Sequence, residues 1–192
     1  LLKQYIPAVA TCQKLLSMDP QDDQVFFLRG LLFKEQNADS LAIINLQRTA
    51  DLNPEMTDAF IMLGDLHEKQ SSPLAKGYYE NALRADPENI NALHAYAFYL
   101  QNHDDTEKAL EIYDRMIDLN TAGPAPLVNS AVIHMDGGNF EKAKGLLIQA
   151  EALDSTFALT PFYLGECLSK MGETDEAKKA FQRSLDIDPE FR

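Results

Sequence analysis

The sequence predicts an all-α fold, a right-handed α-α superhelix of stacked helix pairs, and three observations predict it. A stretch of 33 or 34 residues recurs along the whole chain. Within each copy, two segments carry apolar residues at helical spacing and a short polar turn separates them. One alanine returns at the same place in every second segment, as Ala8, Ala42, Ala75, Ala109, Ala143 and Ala177. Units of this kind bury their apolar faces on their neighbours, so the chain needs no single central core. Five and a half units predict eleven helices.

The clearest copy spans 158–191 and sets the numbering, with Ala158 as position 1. Its first helix carries Leu164-Gly165 at positions 7 and 8, Met171-Gly172-Glu173 turns the chain, and its second helix carries Ala177, Phe181 and Ser184 at 20, 24 and 27. Pro189 closes it at 32. Residues 1–22 read as the second half of such a unit, with Ala8, Cys12, Leu15 and Pro20 in register. Complete units follow at 23–56, 57–89, 90–123, 124–157 and 158–191, in one array. The 57–89 copy is one residue short. The loss is expected near Gln70–Pro73, where a serine can cap the helix that Pro73 opens.

Packing explains the residue types. Two helices approach closely only where side chains are small, which accounts for Gly30, Gly64, Ala97, Ala131 and Gly165 at position 8 and for the alanines at 20. Large residues such as Phe26, Phe60, Leu93 and Leu127 at position 4, and the set at 24, fill the layer between neighbours. Pro161 departs from the pattern at position 4. Thr121 and Ser155 replace proline at 32, and Ala122-Gly123-Pro124 makes the joint between the third and fourth full units the expected bend.

These spacings resemble those of the tetratricopeptide repeat family over essentially the whole chain. The resemblance implies a concave groove lined by first helices, in which positions 2, 5, 6, 9, 12 and 13 face a bound segment, with 5 and 9 taken here as its markers. Those positions hold Phe27 and Leu31, Ile61 and Asp65, His94 and Phe98, Val128 and Val132, and Phe162 and Glu166. Such residues either support the fold or form an exposed apolar stripe that marks a binding site. Two specialised grooves do not match. The kind that holds an acidic carboxyl tail needs Lys and Asn where Phe27 and Leu31 stand, and basic residues where Ala125 and Asn129 stand. The asparagine ladder of the glycosyltransferase-associated kind would occupy position 6, where this chain has Leu28, Met62, Ala95, Asn129 and Tyr163.

Charge narrows the partners. The 192 residues carry 17 Lys and Arg against 30 Asp and Glu, a net charge of −13. Such a surface repels phosphate backbones, so nucleic acid is not an expected partner. An acidic rim favours basic partners, and another protein or peptide of basic or apolar character is expected instead. No run of apolar residues is long enough to span a bilayer. The chain opens on Leu1, which reads as a piece of something longer, and its compartment stays open between the cytoplasm and a bacterial periplasm or envelope.

Chemistry finds no motif. The histidines His67, His94, His103 and His134 show no metal-ligand spacing, and His67 and His134 share position 11, where Phe33, Leu100 and Leu168 stand elsewhere. No metal site, cofactor or catalytic residue is expected. Cys12 and Cys167 read as buried free thiols. Asp22-Asp23 and Asp104-Asp105 read as turn and cap residues. The expected function is a non-catalytic protein-protein interaction scaffold, with a substrate-presenting domain of a larger enzyme or of a secretion or envelope assembly as the alternative. Leu1, Leu2, Ile6, Val9 and Leu16 lack an obvious cover on one side, so a homodimer through the ends is a further expectation.

Overall fold

A computed structural model describes residues 2–119 and 123–190. Among them lie eleven α-helices and no strand. In order they are α1 (Leu2–Met18), α2 (Asp23–Glu35), α3 (Asp39–Leu52), α4 (Thr57–Lys69), α5 (Ala75–Ala85), α6 (Ile90–Asn102), α7 (Thr106–Leu119), α8 (Ala125–Asp136), α9 (Phe140–Leu153), α10 (Leu159–Met171) and α11 (Thr174–Ile187). They gather into two compact bodies, Leu1–Tyr99 and Leu100–Arg192. The division falls inside α6. The joint at Thr121 and Ala122, where a bend was expected, lies outside the described residues.

The helices end where the backbone is made to turn. Asn37, Ser71, Asp104, Gly138 and Gly172 all have positive φ, and they recur at intervals of 33 or 34 residues. Each stands between the two helices of a pair, at position 15. A left-handed residue there stops the first helix and lets the chain double back. After α10, for example, Gly172 N–H donates to the Ser169 carbonyl at 3.1 Å and Glu173 N–H to that of Leu168 at 2.9 Å. Ser71 keeps position 15 while Ala75 arrives one place early, so the missing residue falls between them. Here α5 begins at Ala75 rather than at Pro73: Ser72 Oγ accepts from Leu74 N–H at 3.3 Å, two residues after the hydroxyl instead of opening the helix at the proline.

A second device joins one pair to the next. Asp19, Asn53, Asp86, Asp154 and Asp188, all at position 31, accept with a side-chain oxygen from the N–H two residues on. Asp154 does so although Ser155 replaces the proline after it. The short acceptor side chain therefore makes the turn, and proline only favours it. Asp22 adds an N-cap to α2, accepting from Val25 N–H at 3.0 Å, and Asn89 accepts from Ala92 N–H at 3.1 Å.

Packing in the first body runs from helix to next helix, α1 on α2, α2 on α3, α3 on α4 and α4 on α5. Gly30 and Gly64 show why position 8 is small: a Cβ added to Gly30 would stand 2.8 Å from Leu46, and one on Gly64 would stand 2.5 Å from the Tyr79 ring. Position 24 thus fills the space that position 8 leaves in the same pair. Ala42, Ala75 and Ala82 are wholly buried beside them. At the start of this body, Cys12, Leu16 and Val25 form a small core with Phe26 and Leu32. Leu16 is therefore covered, contrary to expectation, while Leu15, in register with position 27, is 42% exposed. In complete pairs position 27 packs on the start of its own first helix, as Thr49 Oγ1 does on the Asp23 carbonyl. Among the described residues no such helix pairs with α1 from its N-terminal side. Of the other residues expected to lack cover, Ile6 is exposed and Val9 half-buried; Leu1 and the side chain of Leu2 lie outside the description.

The second body repeats the scheme, with α7 on α8, α8 on α9, α9 on α10 and α10 on α11. Leu127, Ala131, Ala143, Leu147, Ala150, Leu164, Cys167, Leu168, Ala177 and Ala180 share one core. A Cβ on Gly165 would meet the Phe181 ring at 2.8 Å. Ser184 Oγ donates to the Ala158 carbonyl at 2.9 Å, the counterpart of Thr49. Pro161 is buried at position 4, so the departure there costs no exposure.

Candidate functional site: the first-helix faces

Positions 5 and 9 are four residues apart and so share one helix face. In the first body this face carries Phe27 and Leu31 on α2, both half-buried, Ile61 half-buried and Asp65 exposed on α4, and His94 and Phe98 exposed on α6. Phe98 is 50% exposed, as is Leu28 beside Phe27. Phe27, Ile61 and Met62 rest with their inner sides on the core of Ala42, Leu46, Phe60 and Leu63. Half-burial of this kind anchors an apolar side chain while leaving one side of it open.

Two features tie the three helices together. A recess of about 410 Å³ joins α2 to α4, lined by Lys34, Glu35, Asn37, Asp39, Asp65, Leu66 and Lys69. Lys69 Nζ bridges it to Asp39 at 2.7 Å. Between α4 and α6 lies Tyr79, packed on Tyr96 and Tyr99 with ring centroids 6.3 and 5.3 Å away. Tyr96 Oη donates to Glu80 at 3.0 Å. The Tyr79 hydroxyl points back to α4, 2.9 Å from Asp65 Oδ1 and 2.9 Å from Glu68 Oε2. Burial and the two carboxylates push the Tyr79 phenol far above its ordinary value, so it stays protonated. Partial desolvation lowers the His94 imidazole from its ordinary value, although one side of the ring stays open to solvent.

In the second body the expected residues divide. Val128 is only 1% exposed and belongs to the core with Leu127 and Ala131, so it has no surface to offer a partner. Val132, Phe162 and Glu166 are half-buried. Phe162 stands edge-on to Phe181 at 5.9 Å and to Tyr163 at 5.3 Å, which braces its ring. Asn129 hydrogen-bonds the buried Tyr113 and so serves the packing.

The histidines at position 11 are structural. His67 is buried, stacked on Tyr78 at 5.0 Å, with Nδ1 3.2 Å from Ser72 Oγ. His134 is half-buried. Cys12 and Cys167 are buried and free. Among the described residues no group of three or more His, Cys, Asp and Glu is placed to hold a metal ion. No helix there is long and apolar enough to cross a membrane. Glu68, one turn beyond Asp65, stands at position 12, which the resemblance already places on the groove face; what sequence reasoning missed is its contact with Tyr79 at position 24 of the same pair.

The helix pairs, the left-handed turns and the close approach of positions 8 and 24 define an α-α repeat protein. Comparison agrees, since residues 78–111 and 162–191 match tetratricopeptide repeat models. Tetratricopeptide repeat protein 1 of Schizosaccharomyces pombe is 25% identical over 81% of this chain, which spans 17% of that protein. Photosystem I assembly protein Ycf3 of Rippkaea orientalis is 33% identical over 53% of this chain and 62% of its own length. The solved structure of YrrB, described as a TPR protein with an unusual peptide-binding site, superposes with a TM-score of 0.70 over 93% of each chain at 18% identity. Two stretches of the chain thus match tetratricopeptide repeats, and its fold is the superhelix of such repeats.

Proposed function

We propose that this chain is a non-catalytic protein-interaction scaffold, and that the first-helix faces hold an apolar segment of another protein, with the acidic surface favouring a basic one. The observation that carries this is the exposure of Phe98 and Leu28 at 50% each, beside half-buried Leu31 and Ile61 on consecutive first helices. Aromatic and aliphatic side chains left open on rigid helices are what an apolar partner segment packs against. The family supports the reading: YrrB is described as having a peptide-binding site and Ycf3 as an assembly protein.

Phe98→Asp should weaken partner capture at least tenfold without unfolding the protein, because a half-exposed side chain contributes little core. Pull-down from the native extract, beside the wild type, measures it. Capture unaffected by Phe98→Asp but lost with Ile44→Asp, on the exposed side of α3, would place the partner on the second helices instead.

The matched share of the fission yeast protein, 17% of its length, favours a second reading in which the array presents a substrate to other parts of a larger enzyme or assembly. A second copy of this chain is the further partner that α1 supports. Ile6 and Met18 are 69% and 76% exposed there, and a twofold contact would cover them.

A further inference from the structure

On α5 a glycine stands where nothing inside the chain asks for one. A Cβ added to Gly77 would meet no atom within 4 Å, although glycine in a helix interior lowers helix stability. It belongs to an outer recess of about 300 Å³ between α3 and α5, lined also by Gln47, Leu74, Tyr78 and Asn81. Tyr78 Oη donates to Gln47 Oε1 at 2.6 Å and so ties the two helices together. Large apolar side chains stand open on the same two helices, Leu41 and Ile44 on α3 and Leu74 on α5, at 46%, 63% and 57% exposure. The repeat itself does not require them. Where Leu41 and Leu74 stand, at position 19, α7, α9 and α11 carry Lys108, Lys142 and Glu176.

Leu41, Ile44, Arg48 and Asp51 form one stripe along α3, and Leu74, Gly77, Asn81 and Arg84 form the matching stripe along α5, at positions 19, 22, 26 and 29 of their units. Both helices pack on α4 as second members of successive pairs, so they run in the same direction and their stripes lie in register. We infer that this outer face of α3 and α5 binds the same face of a second copy of the chain about a twofold axis. An axis along the helix direction, midway between the stripes, lays α3 of each copy on α5 of the other with equal positions opposed. Ile44 then enters the recess over Gly77, as a ridge enters a groove, and Leu41 covers Leu74. Asp51 meets Arg84, and among the described residues neither has an ion pair within its own chain. Arg48 falls on Asn81 and Gln47 on Glu80, so none of these contacts sets like charge on like, although the chain carries a net charge of −13. Every contact is made twice. The surface lies on α3 and α5, apart from the first-helix faces and from α1, and depends on neither of those readings.

Sedimentation velocity of two charge-reversed variants tests this pairing. In a self-pair Asp51→Arg sets arginine on arginine and Arg84→Asp sets aspartate on aspartate, so each alone should associate about tenfold more weakly than the wild type. Mixed in equal amounts, the two variants regain both opposite-charge contacts, and association should return to the wild-type level. Gly77→Leu fills the seat of Ile44 and should weaken association as much; it carries the test where a charge reversal disturbs the fold. A mixture no tighter than its components, or association indifferent to Gly77→Leu, would overturn the inference. So would association that is lost with Met18→Asp and kept with Asp51→Arg, because that contact belongs to α1. A wild-type chain that stays monomeric at every concentration overturns it too, and partner capture lost with Ile44→Asp then gives the face to a different protein. The groove reading, tested by Phe98→Asp, is untouched by any of these outcomes.

Discussion

Gly64 and Gly77 sit in neighbouring helices and differ in what a methyl group would meet. At Gly64 a Cβ would stand 2.5 Å from the Tyr79 ring, which is wedged against Tyr96 and Tyr99 and has little room to yield. Gly64→Ala should therefore cost about 1–3 kcal/mol, as overpacking does. At Gly77 nothing lies within 4 Å, so Gly77→Ala should raise stability by about 0.4–1 kcal/mol by stiffening the unfolded chain. Urea unfolding of the two variants should move in opposite directions. Tyr113 is a second residue with a measurable signature. Burial pushes its phenol from 10.0 up to about 12, partly offset by the hydrogen bond with Asn129. The unfolded chain loses that proton from about pH 10, while the folded chain holds it to about 12. Above pH 10 the unfolded state thus binds fewer protons, and stability falls as pH rises through this window. Melting temperatures taken across it should fall less steeply for Tyr113→Phe than for the wild type.

At the scale of elements, position 15 decides how each helix pair closes. Glycine adopts the left-handed conformation freely, and asparagine or aspartate tolerates it through a short polar side chain. Ser71, with φ 52°, has neither advantage. It also stands in the pair that is one residue short, where the chain from Ser71 to Ala75 has least slack. Ser71→Gly should stabilise the fold by up to about 1–2 kcal/mol, the cost that a side chain bears in this conformation, and so raise the urea midpoint. A lower midpoint would show that the freedom glycine adds to the unfolded chain outweighs the relief.

For the whole molecule, net charge and exposed apolar residues act in opposite directions. A net charge of −13 keeps copies apart at low salt, while Leu15 and Met18, three residues apart on α1, are exposed apolar side chains that a second copy could cover. Sedimentation velocity over a wide concentration range should show association that strengthens as salt screens the repulsion. A single monomeric species at every concentration and salt would exclude the dimer.

Helix number and the residues that bring helices close were legible in the sequence, because each depends on residues within one unit of 33 or 34. Ala42, Ala75, Ala109, Ala143 and Ala177 recur at one spacing, and all are buried. The turn residues Asn37, Ser71, Asp104, Gly138 and Gly172 could have been read in the same way, since local backbone geometry selects them. Exposure could not. Val128 and Phe98 both occupy groove positions, yet one is 1% exposed and the other 50%. What covers a side chain is set by the sizes of neighbours from other helices, which spacing along one helix does not encode. The same reason hid the meeting of Asp65, Glu68 and Tyr79. The acids lie on α4 and the phenol on α5, and only the packing of one helix on the other brings two carboxylates to a single hydroxyl.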